Sequence, residues 1–459
     1  MSTPPPNTPE PPRRSHLLAR RTIVLVGICV CLFAVFNHFW LGSFNPRGHY
    51  PTHDWPVSEI LLTLMAEGLL LVLLIGFCEK WYRGRSVAQF RLGGLLCFAA
   101  IIALTFGGWR AAKARQDRTD REAISETVRQ KMATGKREGE LVLSLNGKQL
   151  SHEVWKVLKE SREIMELDLS YTNVGDRELP FLRDHKKLKQ LRLCETQITD
   201  AGLAHVAPLE SLRHLDLGNT QISDRGLIHL AKLPNLDLLI LGNTDVTGSG
   251  FEHLVGLPKL RTLSLVENNV SLVGLEHLAN MRQLRFIDFH FANLADSDLS
   301  HLATLTQLEG LYLNHTQVTD AELKHLEGLV EMRRLGLDST AVTDAGLRSL
   351  ANMKKLTFLD LSHTDVTDDG LLHLKGLAEL ETLQVQCRLL TGAGFEHLKD
   401  LDRLRYLIPG GPQITDGAVR SWTLPPNLEG LHLHETSVSS DGLEGLRKAY
   451  PDVKFTRYP

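Results

Sequence analysis

The chain has 459 residues, 43% of them hydrophobic and 23% charged, so most of it is expected to fold as several domains or one extended array. Its formal net charge of −3 gives no general attraction to nucleic acid or to anionic surfaces. Only six cysteines are present, and most of them lie in apolar runs, which argues against a disulfide framework.

The first 140 residues predict an all-α membrane domain with a tail before it and a stalk after it. Residues 1–21 are a Pro- and Arg-rich tail that cannot bury a core and is expected to be disordered. The charged segment 110–140 predicts a solvated helical stalk. Between them, residues 22–109 contain three apolar runs, each near the ~20 residues that a helix needs to cross a bilayer, at 22–44, 60–78 and 92–109.

The membrane domain leaves three questions open. A cleaved signal peptide is the alternative for the first run, although no Ala-x-Ala-like site follows it. Glu67 lies in the middle of the second run, where an ionisable group indicates either function or a carboxyl that holds the helices together. The distribution of Lys and Arg slightly favours an inner N-terminus, so with three spans the C-terminal part is expected outside the cytoplasm.

A period of 24 residues runs through the rest of the chain, residues 141–459, without an insertion. The period is counted from the first residue of each Leu-x-Leu pair, which we call the unit start. Leu143 and Phe455 continue the phase by one unit at either end, so we expect about thirteen units. The twelve unit starts are Leu167, Leu191, Leu215, Leu239, Leu263, Ile287, Leu311, Leu335, Leu359, Leu383, Leu407 and Leu431.

Each unit predicts one short strand and one short helix. The Leu-x-Leu alternation places both leucines on one face of a strand. Thr199 and Asp200 then suit a helix N-terminus, because the hydroxyl can cap a free N–H and the carboxylate suits the helix dipole. Leu203, Val206 and Leu209 give the helix an inward apolar stripe. A single unit cannot cover its own apolar face, so stacked units must bury it against one another.

The unit resembles that of leucine-rich repeat proteins, LxxLxLxx(N/C)xL, in stretches such as LRHLDLGNTQI from Leu212 and LTFLDLSHTDV from Leu356. The resemblance covers 141–459 and implies an α/β horseshoe solenoid, with parallel strands on the concave face and short helices on the convex face. The TDxGL-type units look like those of bacterial leucine-rich repeat proteins, and together with the three apolar runs this predicts a multi-pass protein of the bacterial inner membrane. They are also similar to those of F-box substrate receptors, but no F-box-like region precedes them here, which argues against a ubiquitin-ligase role.

One departure from the family pattern is regular. The usual Asn or Cys position holds Thr in eight of the twelve units, at Thr172, Thr196, Thr220, Thr244, Thr316, Thr340, Thr364 and Thr436. A Thr hydroxyl can also bond neighbouring backbone, so the fold is still expected, although the loop geometry can differ.

Eight histidines occupy one position, fourteen residues after the unit start: His205, His229, His253, His277, His301, His325, His373 and His397. This position lies about 200° around the helix from the buried Leu. Helices stacked about 10 Å apart cannot place several nitrogen atoms within about 2.1 Å of one metal ion. We therefore interpret these histidines as semi-exposed helix residues.

His432 and His434 differ, because alternate residues of a strand share a face. With Glu435 they could hold a metal ion weakly, and the alternative is a polar end to the concave surface. No phosphate-binding loop, HExxH motif, paired CxxC or GxSxG motif is present. We therefore predict no catalytic, cofactor-binding or metal-binding residues and no enzymatic activity.

The concave face is the expected binding surface. Residues one before, one after and three after each unit start point outward there, and in the middle units they become apolar. The predicted contact residues are Leu238, Ile240, Val266, Phe286, His290, Phe291, Tyr312 and Phe358. A row of basic residues along one edge is suited to steering an acidic partner, at Lys189, Arg213, Arg261, Arg285 and Arg333.

These features predict a membrane-anchored recognition module that binds a protein, with a peptide or a glycan as alternatives. Use of another surface, or of none, is also compatible with the sequence. A second hypothesis is a regulatory subunit of a transport or signalling assembly in which the helix that carries Glu67 is active.

Overall fold

The computed structural model describes residues 141–294 and 299–458. The predicted tail, the three apolar runs, Glu67 and the stalk lie outside the described residues and remain predictions. Within the described residues, no helix combines the length and the apolar character that a membrane span requires.

Fourteen strands of the described chain form one parallel sheet whose order follows the sequence. Neighbouring strands pair residues that lie 24 positions apart, from Leu143 beside Leu167 to Leu431 beside Phe455. The predicted parallel sheet is therefore confirmed, and its register reproduces the sequence period. The strands are β1 Leu141–Ser144, β2 Ile164–Asp168, β3 Gln190–Arg192, β4 His214–Asp216, β5 Leu238–Ile240, β6 Thr262–Ser264, β7 Phe286–Asp288, β8 Gly310–Tyr312, β9 Arg334–Gly336, β10 Phe358–Asp360, β11 Thr382–Gln386, β12 Tyr406–Gly410, β13 Gly430–His434 and β14 Lys454–Tyr458.

Short helical segments connect the strands, and about half of them are 3₁₀ rather than α. The three-residue spacing of the apolar stripe is compatible with a 3₁₀ helix, because 3.0 residues per turn keep such a stripe on one side. The α-helices are α1 His152–Glu160, α2 Asp200–Leu203, α3 Leu272–Leu278, α4 Asp320–Lys324, α5 Asp344–Leu347, α6 Asp416–Arg420 and α7 Ser440–Ala449. The 3₁₀ segments are Leu179–Asp184, Asp224–Lys232, Ser249–His253, Leu299–Thr304, Arg348–Asn352, Gly370–Leu374 and Ala393–Leu398.

The apolar residues of all units form one continuous core between the strands and the helical segments. In the unit that starts at Leu215, both strand leucines are fully buried, and so are Ile222, Leu227 and Leu230. Burying an aliphatic side chain of this size contributes about 1.5–3 kcal/mol. Because every unit repeats this arrangement, stability is distributed along the array.

The Asp of the Thr-Asp pair bonds the next unit rather than its own helix. Asp200 accepts the backbone N–H of Ser223 at 2.8 Å with Oδ1 and the Ser223 hydroxyl at 2.6 Å with Oδ2. We call this pair of bonds the inter-unit clamp. Thr199 caps α2 as predicted, because its hydroxyl accepts the N–H of Ala201 at 3.3 Å. The same clamp joins Asp176 to Thr199, Asp224 to Thr247, Asp320 to Thr343, Asp344 to Thr367, Asp368 to Thr391 and Asp416 to Ser439.

The repeated Thr closes the turn after each strand. The Thr220 hydroxyl donates to the carbonyl oxygen of Leu217 at 2.5 Å, and six of the other predicted threonines make the equivalent bond. The residue before Thr220, Asn219, has a left-handed backbone with φ 54°. The Thr hydroxyl therefore satisfies a strand-end carbonyl, which confirms that Thr can bond neighbouring backbone at this position.

The clamp at Asp224 predicts a loss of stability in acid. Burial raises the pKa of this carboxyl, but hydrogen bonds from the Gly250 N–H and from the hydroxyl and N–H of Thr247 outweigh burial and hold the pKa below the ordinary 3.8. A depressed folded-state pKa contributes stability above the unfolded pKa and loses it as the pH falls through the folded value. We expect Asp224→Asn to lower the urea midpoint at pH 7 and to approach the parent chain as the pH drops below 3.8.

The matched control for this measurement is Asp245→Asn, since Asp245 is exposed. Its urea midpoint should follow that of the parent chain at both pH values. An Asp224→Asn deficit that stays constant from pH 7 to pH 2 would show that the carboxylate charge contributes nothing.

Candidate interaction surface

The strand face of the solenoid is the outer surface of the sheet, made by residues one before, one after and three after each unit start. In β5, Leu239 and the following Leu241 are fully buried, whereas Leu238 and Ile240 between and beside them are only half-buried. Stacked strands lie about 4.8 Å apart and stacked helices about 8–10 Å apart. The strand face must therefore be the shorter, inner side of the array.

The eight predicted contact residues all lie on or beside this face, outside the core. Seven of them are half-buried, and the Phe291 side chain is 52% exposed. We call these eight residues the strand-face patch: Leu238, Ile240, Val266, Phe286, His290, Phe291, Tyr312 and Phe358. Because these side chains are partly exposed, a partner could contact them. Their role in binding remains a prediction.

Two aromatic rings of the patch lie across glycines of the next strand. A Cβ placed on Gly310 would lie 2.4 Å from Cδ1 of Phe286, and one on Gly336 would lie 3.0 Å from Cδ1 of Tyr312. Glycine within a strand is typical of places where another group approaches the backbone closely. Each ring therefore packs against the glycine backbone of the neighbouring strand, and we expect both rings to be rigid.

A polar network continues the patch at the ends of β7 and β8. Asp288 Oδ1 accepts the backbone N–H of His290 at 3.0 Å and lies 3.3 Å from Nδ1 of the same ring. Nε2 of His290 lies 2.9 Å from Nδ2 of Asn314 in the next unit. The His290 ring also lies 6.1 Å from the ring of Tyr312, measured between centroids. These contacts hold the imidazole in one orientation on the strand face.

A second network follows the left-handed residues after the strands. Phe291 stacks on His315 with 4.1 Å between ring centroids and 6° between ring planes. Asp338 lies between two imidazoles, with Oδ2 3.1 Å from Nε2 of His315 and Oδ1 2.8 Å from Nδ1 of His363. The exposed Phe291 ring is thus supported by the imidazole of the next unit, whereas Phe286 lies against a glycine.

A family model described as "Leucine Rich repeat" matches residues 209–231 and 352–374. Both segments carry the strand, turn and helix start of one unit as the structure shows them. The chain contains leucine-rich repeats. It matches no curated protein sequence.

Two solved structures are similar to the chain. An internalin (inlF) from Listeria monocytogenes is 22% identical, and the similarity covers 67% of this chain and 90% of that chain with a TM-score of 0.47. A leucine-rich repeat protein from Leptospira interrogans is 17% identical, with coverage of 69% of this chain and 89% of that chain and a TM-score of 0.44.

The basic edge of the leucine-rich repeat sheet is less uniform than the sequence suggested. Glu309 lies between two of the predicted arginines, with Oε1 3.7 Å from Nε of Arg285 and Oε2 3.8 Å from Nε of Arg333. Arg213 and Arg261 are exposed on the same edge. The edge remains net basic in the middle repeats, but Glu309 and the half-buried Asp237 offset part of its charge.

The eight repeated histidines lie on the helical side, seven of them half-buried and His325 exposed, as expected for semi-exposed helix residues. At the C-terminal end, the Nδ1 atom of His432 is hydrogen-bonded to the Thr456 hydroxyl, and His434 stacks on Tyr458 with 4.5 Å between centroids. Partial burial lowers the pKa of His434, and His432 lowers it further. These contacts favour a polar end to the strand face.

Within residues 141–294 and 299–458, no group of three or more His, Cys, Asp and Glu side chains is arranged to hold a metal ion.

His315 and His363 were not predicted to belong to this surface. Both lie four residues after a unit start, where the backbone is left-handed. Phe291, His315 and His363 each lie four residues after a unit start, so the sequence period places them in one row. That position was not included among the outward-facing ones.

Proposed function

We propose that this chain is a membrane-anchored, non-enzymatic binding protein whose leucine-rich repeats bind a protein partner through the strand-face patch. A leucine-rich repeat solenoid is consistent with a protein–protein interaction module. The observation that carries the proposal is the group of half-buried apolar side chains at Leu238, Ile240, Phe286 and Tyr312, on a face whose strand positions are polar in the first units. Apolar groups on a rigid face gain free energy when a partner removes them from water.

The rigidity of the patch supports the same proposal. The Phe286 ring lies against Gly310, Tyr312 lies against Gly336, and Phe291 stacks on His315. Aromatic side chains that are already fixed lose little conformational entropy on binding, so more of the contact energy contributes to affinity. Aromatic residues also predominate among those that contribute most to protein interfaces.

The membrane part of the proposal rests on the three apolar runs at 22–44, 60–78 and 92–109. In this proposal they anchor the chain in the bacterial inner membrane, and the charged stalk presents the repeats outside the cytoplasm. Protease treatment of spheroplasts tests this placement, because repeats on the outer side should be cut in intact spheroplasts. Protection of the repeats until the membrane is permeabilised would contradict it.

Site-specific crosslinking in cells tests the binding surface. A photo-reactive residue in place of Phe286 should crosslink to one discrete partner, which mass spectrometry identifies, whereas the same residue at the exposed helical position of Ile228 should not. The purified partner should then bind the full-length parent protein at least ten times more tightly than it binds the Phe286→Ser/Tyr312→Ser variant, since an aromatic at an interface centre contributes about 2 kcal/mol or more.

Two results would contradict this placement. One is a discrete partner captured from Ile228 but not from Phe286. The other is unchanged affinity of the double variant for the identified partner, with a circular dichroism spectrum like that of the parent protein.

A further inference from the structure

The strand-face patch lies between two edges that differ in charge. Along the starts of the middle strands, Arg213, Arg261 and Arg334 are exposed, Arg285 and Arg333 share Glu309, and the half-buried Asp237 lies between Arg213 and Arg261. Toward the strand ends, Asp288 and the buried Asp360 lie in the same row as Tyr312, Asp338 lies in the row of His290, and Glu267 lies in the row of His315 and His363. A ligand that covers the apolar patch therefore meets a net positive row of side chains on one side, and carboxylates together with histidines on the other.

The acidic side chains differ in how strongly neighbouring groups already bind their carboxylates. Asp338 is held between His315 and His363, and burial raises the pKa of Asp360, although its hydrogen bond to Ser362 lowers it in part. Glu267 is exposed, and one third of the Asp288 side chain is accessible. Glu267 and Asp288 are therefore the carboxylates that a partner's cations can reach.

The sheet cannot pair with the backbone of a bound peptide across this face. Each middle strand already bonds a strand on both sides, as β7 does with β6 and β8. A peptide laid over the apolar patch must therefore satisfy its own N–H and C=O groups, because leaving them unpaired away from water costs about 1–3 kcal/mol each. An α-helix bonds its backbone internally, whereas an extended strand does not.

The dimensions of the patch also fit a helix. The row of arginines lies two residues before the unit start, so along the strand it is five residues, or about 16 Å, from the row three residues after the unit start. A helix with its side chains is about 10–12 Å wide. From β5 to β10 are five strand spacings, or about 24 Å, which a helix of about 16 residues spans. The larger apolar side chains lie between β5 and β8, over about 14 Å, which corresponds to roughly ten residues of a helix.

We propose that the partner contributes an amphipathic α-helix that lies across the strands, with its apolar stripe on the strand-face patch. One flank of this helix is acidic and faces Arg213, Arg261 and Arg334. The other flank is basic and faces Glu267 and Asp288. This inference rests on the proposed function and specifies its partner chemically.

Designed peptides test the chemistry without knowledge of the natural partner. The probe is an 18-residue helical peptide with leucines at a spacing of three and four, glutamates along one flank and lysines along the other. A control peptide of identical composition mixes the two charges on both flanks, and a second control interrupts the leucine stripe. Reversing the two flanks is not a control, because the helix could then bind in the opposite direction.

Fluorescence anisotropy with the detergent-solubilised full-length protein measures the affinities at low and high salt. We expect the probe to bind at least ten times more tightly than either control, and to lose this advantage as salt screens the flanks. Arg261→Glu/Arg334→Glu should weaken the probe about ten-fold, whereas Arg225→Glu, on the helical side of the array, should leave its affinity unchanged. Equal affinity of probe and mixed-flank control would overturn the inference.

The outcomes separate this inference from the proposed function. If the partner crosslinked from Phe286 contacts the patch through an extended segment, a loop or a glycan, the helix is wrong while the binding surface stands. If the crosslinked segment is a helix with acidic residues facing the arginine edge, both hold. If the Phe286→Ser/Tyr312→Ser variant binds the probe as well as the parent protein does, the patch is not its site and the inference fails.

Discussion

Replacing Gly370 with alanine is expected to destabilise the repeat array by about 2–4 kcal/mol, because the new methyl group overlaps the inter-unit clamp. A Cβ on Gly370 would lie 2.1 Å from Oδ1 of Asp344. That carboxylate cannot simply move, since it accepts the Thr367 N–H at 2.8 Å and the Thr367 hydroxyl at 2.6 Å. The measurement is the urea midpoint of unfolding, followed by circular dichroism.

Gly328→Ala is the matched control, because a Cβ on Gly328 meets nothing within 4 Å. It should be neutral or slightly stabilising, since alanine reduces the entropy of the unfolded chain. Asp344→Ala should also destabilise, by about 1–3 kcal/mol, because the donors of Thr367 lose their acceptor. In the double variant the overlap is gone, so the two losses should not add. Additive losses, or a Gly370→Ala variant as stable as Gly328→Ala, would contradict the clamp.

The architecture was predictable because the sequence of one unit already determines how neighbouring units pack. Strand leucines at a constant spacing of 24 require neighbouring strands in register, and the structure places Leu239 beside Leu215 and Leu263 as that spacing demands. The helical type was harder to predict. Apolar residues at a three-residue spacing suit a 3₁₀ segment such as Asp224–Lys232 as well as one face of a short α-helix.

The role of the Thr-Asp-x-Gly sequence could not be read from one unit. Within a single repeat, Asp200 suits the N-terminus of its own helix, and the glycine has no evident purpose. Only the stacked neighbour shows that Asp200 bonds Ser223 and that Gly226 leaves room for that carboxylate, because a Cβ there would lie 2.5 Å from Oδ1. The pattern is conspicuous in the sequence, but its cause is a contact between units.

The candidate surface was predictable in position and only partly in composition. Strand alternation correctly placed Phe286 and Tyr312 on the outer side of the sheet. The stack of Phe291 on His315 depends on two left-handed residues in successive units, and periodicity alone does not predict that conformation for these residue types. Glu309 was missed because the basic row was selected by charge rather than by position.

The second large effect is expected at Phe251, which replaces the usual Leu at the start of a 3₁₀ segment and is fully buried. Its ring fills the space beside Gly248, whose φ is 97°, and a Cβ on Gly248 would lie 3.0 Å from Cε2 of Phe251. Phe251→Ala removes this ring and leaves a cavity that the left-handed backbone cannot fill, so we expect a loss of about 3–5 kcal/mol. Hydrogen exchange should show the largest loss of protection in the repeats on either side.

Phe291→Ala is the control for Phe251→Ala, since its ring is 52% exposed and should contribute about 0.5 kcal/mol or less to stability. The two variants remove the same side chain at positions only 40 residues apart. They therefore separate the two roles that an aromatic residue has in this solenoid. Phe251 should affect unfolding and exchange, whereas Phe291 should affect only binding. Equal losses of stability would mean that Phe291 is part of the packing of its repeat, and it would then have to be removed from the strand-face patch.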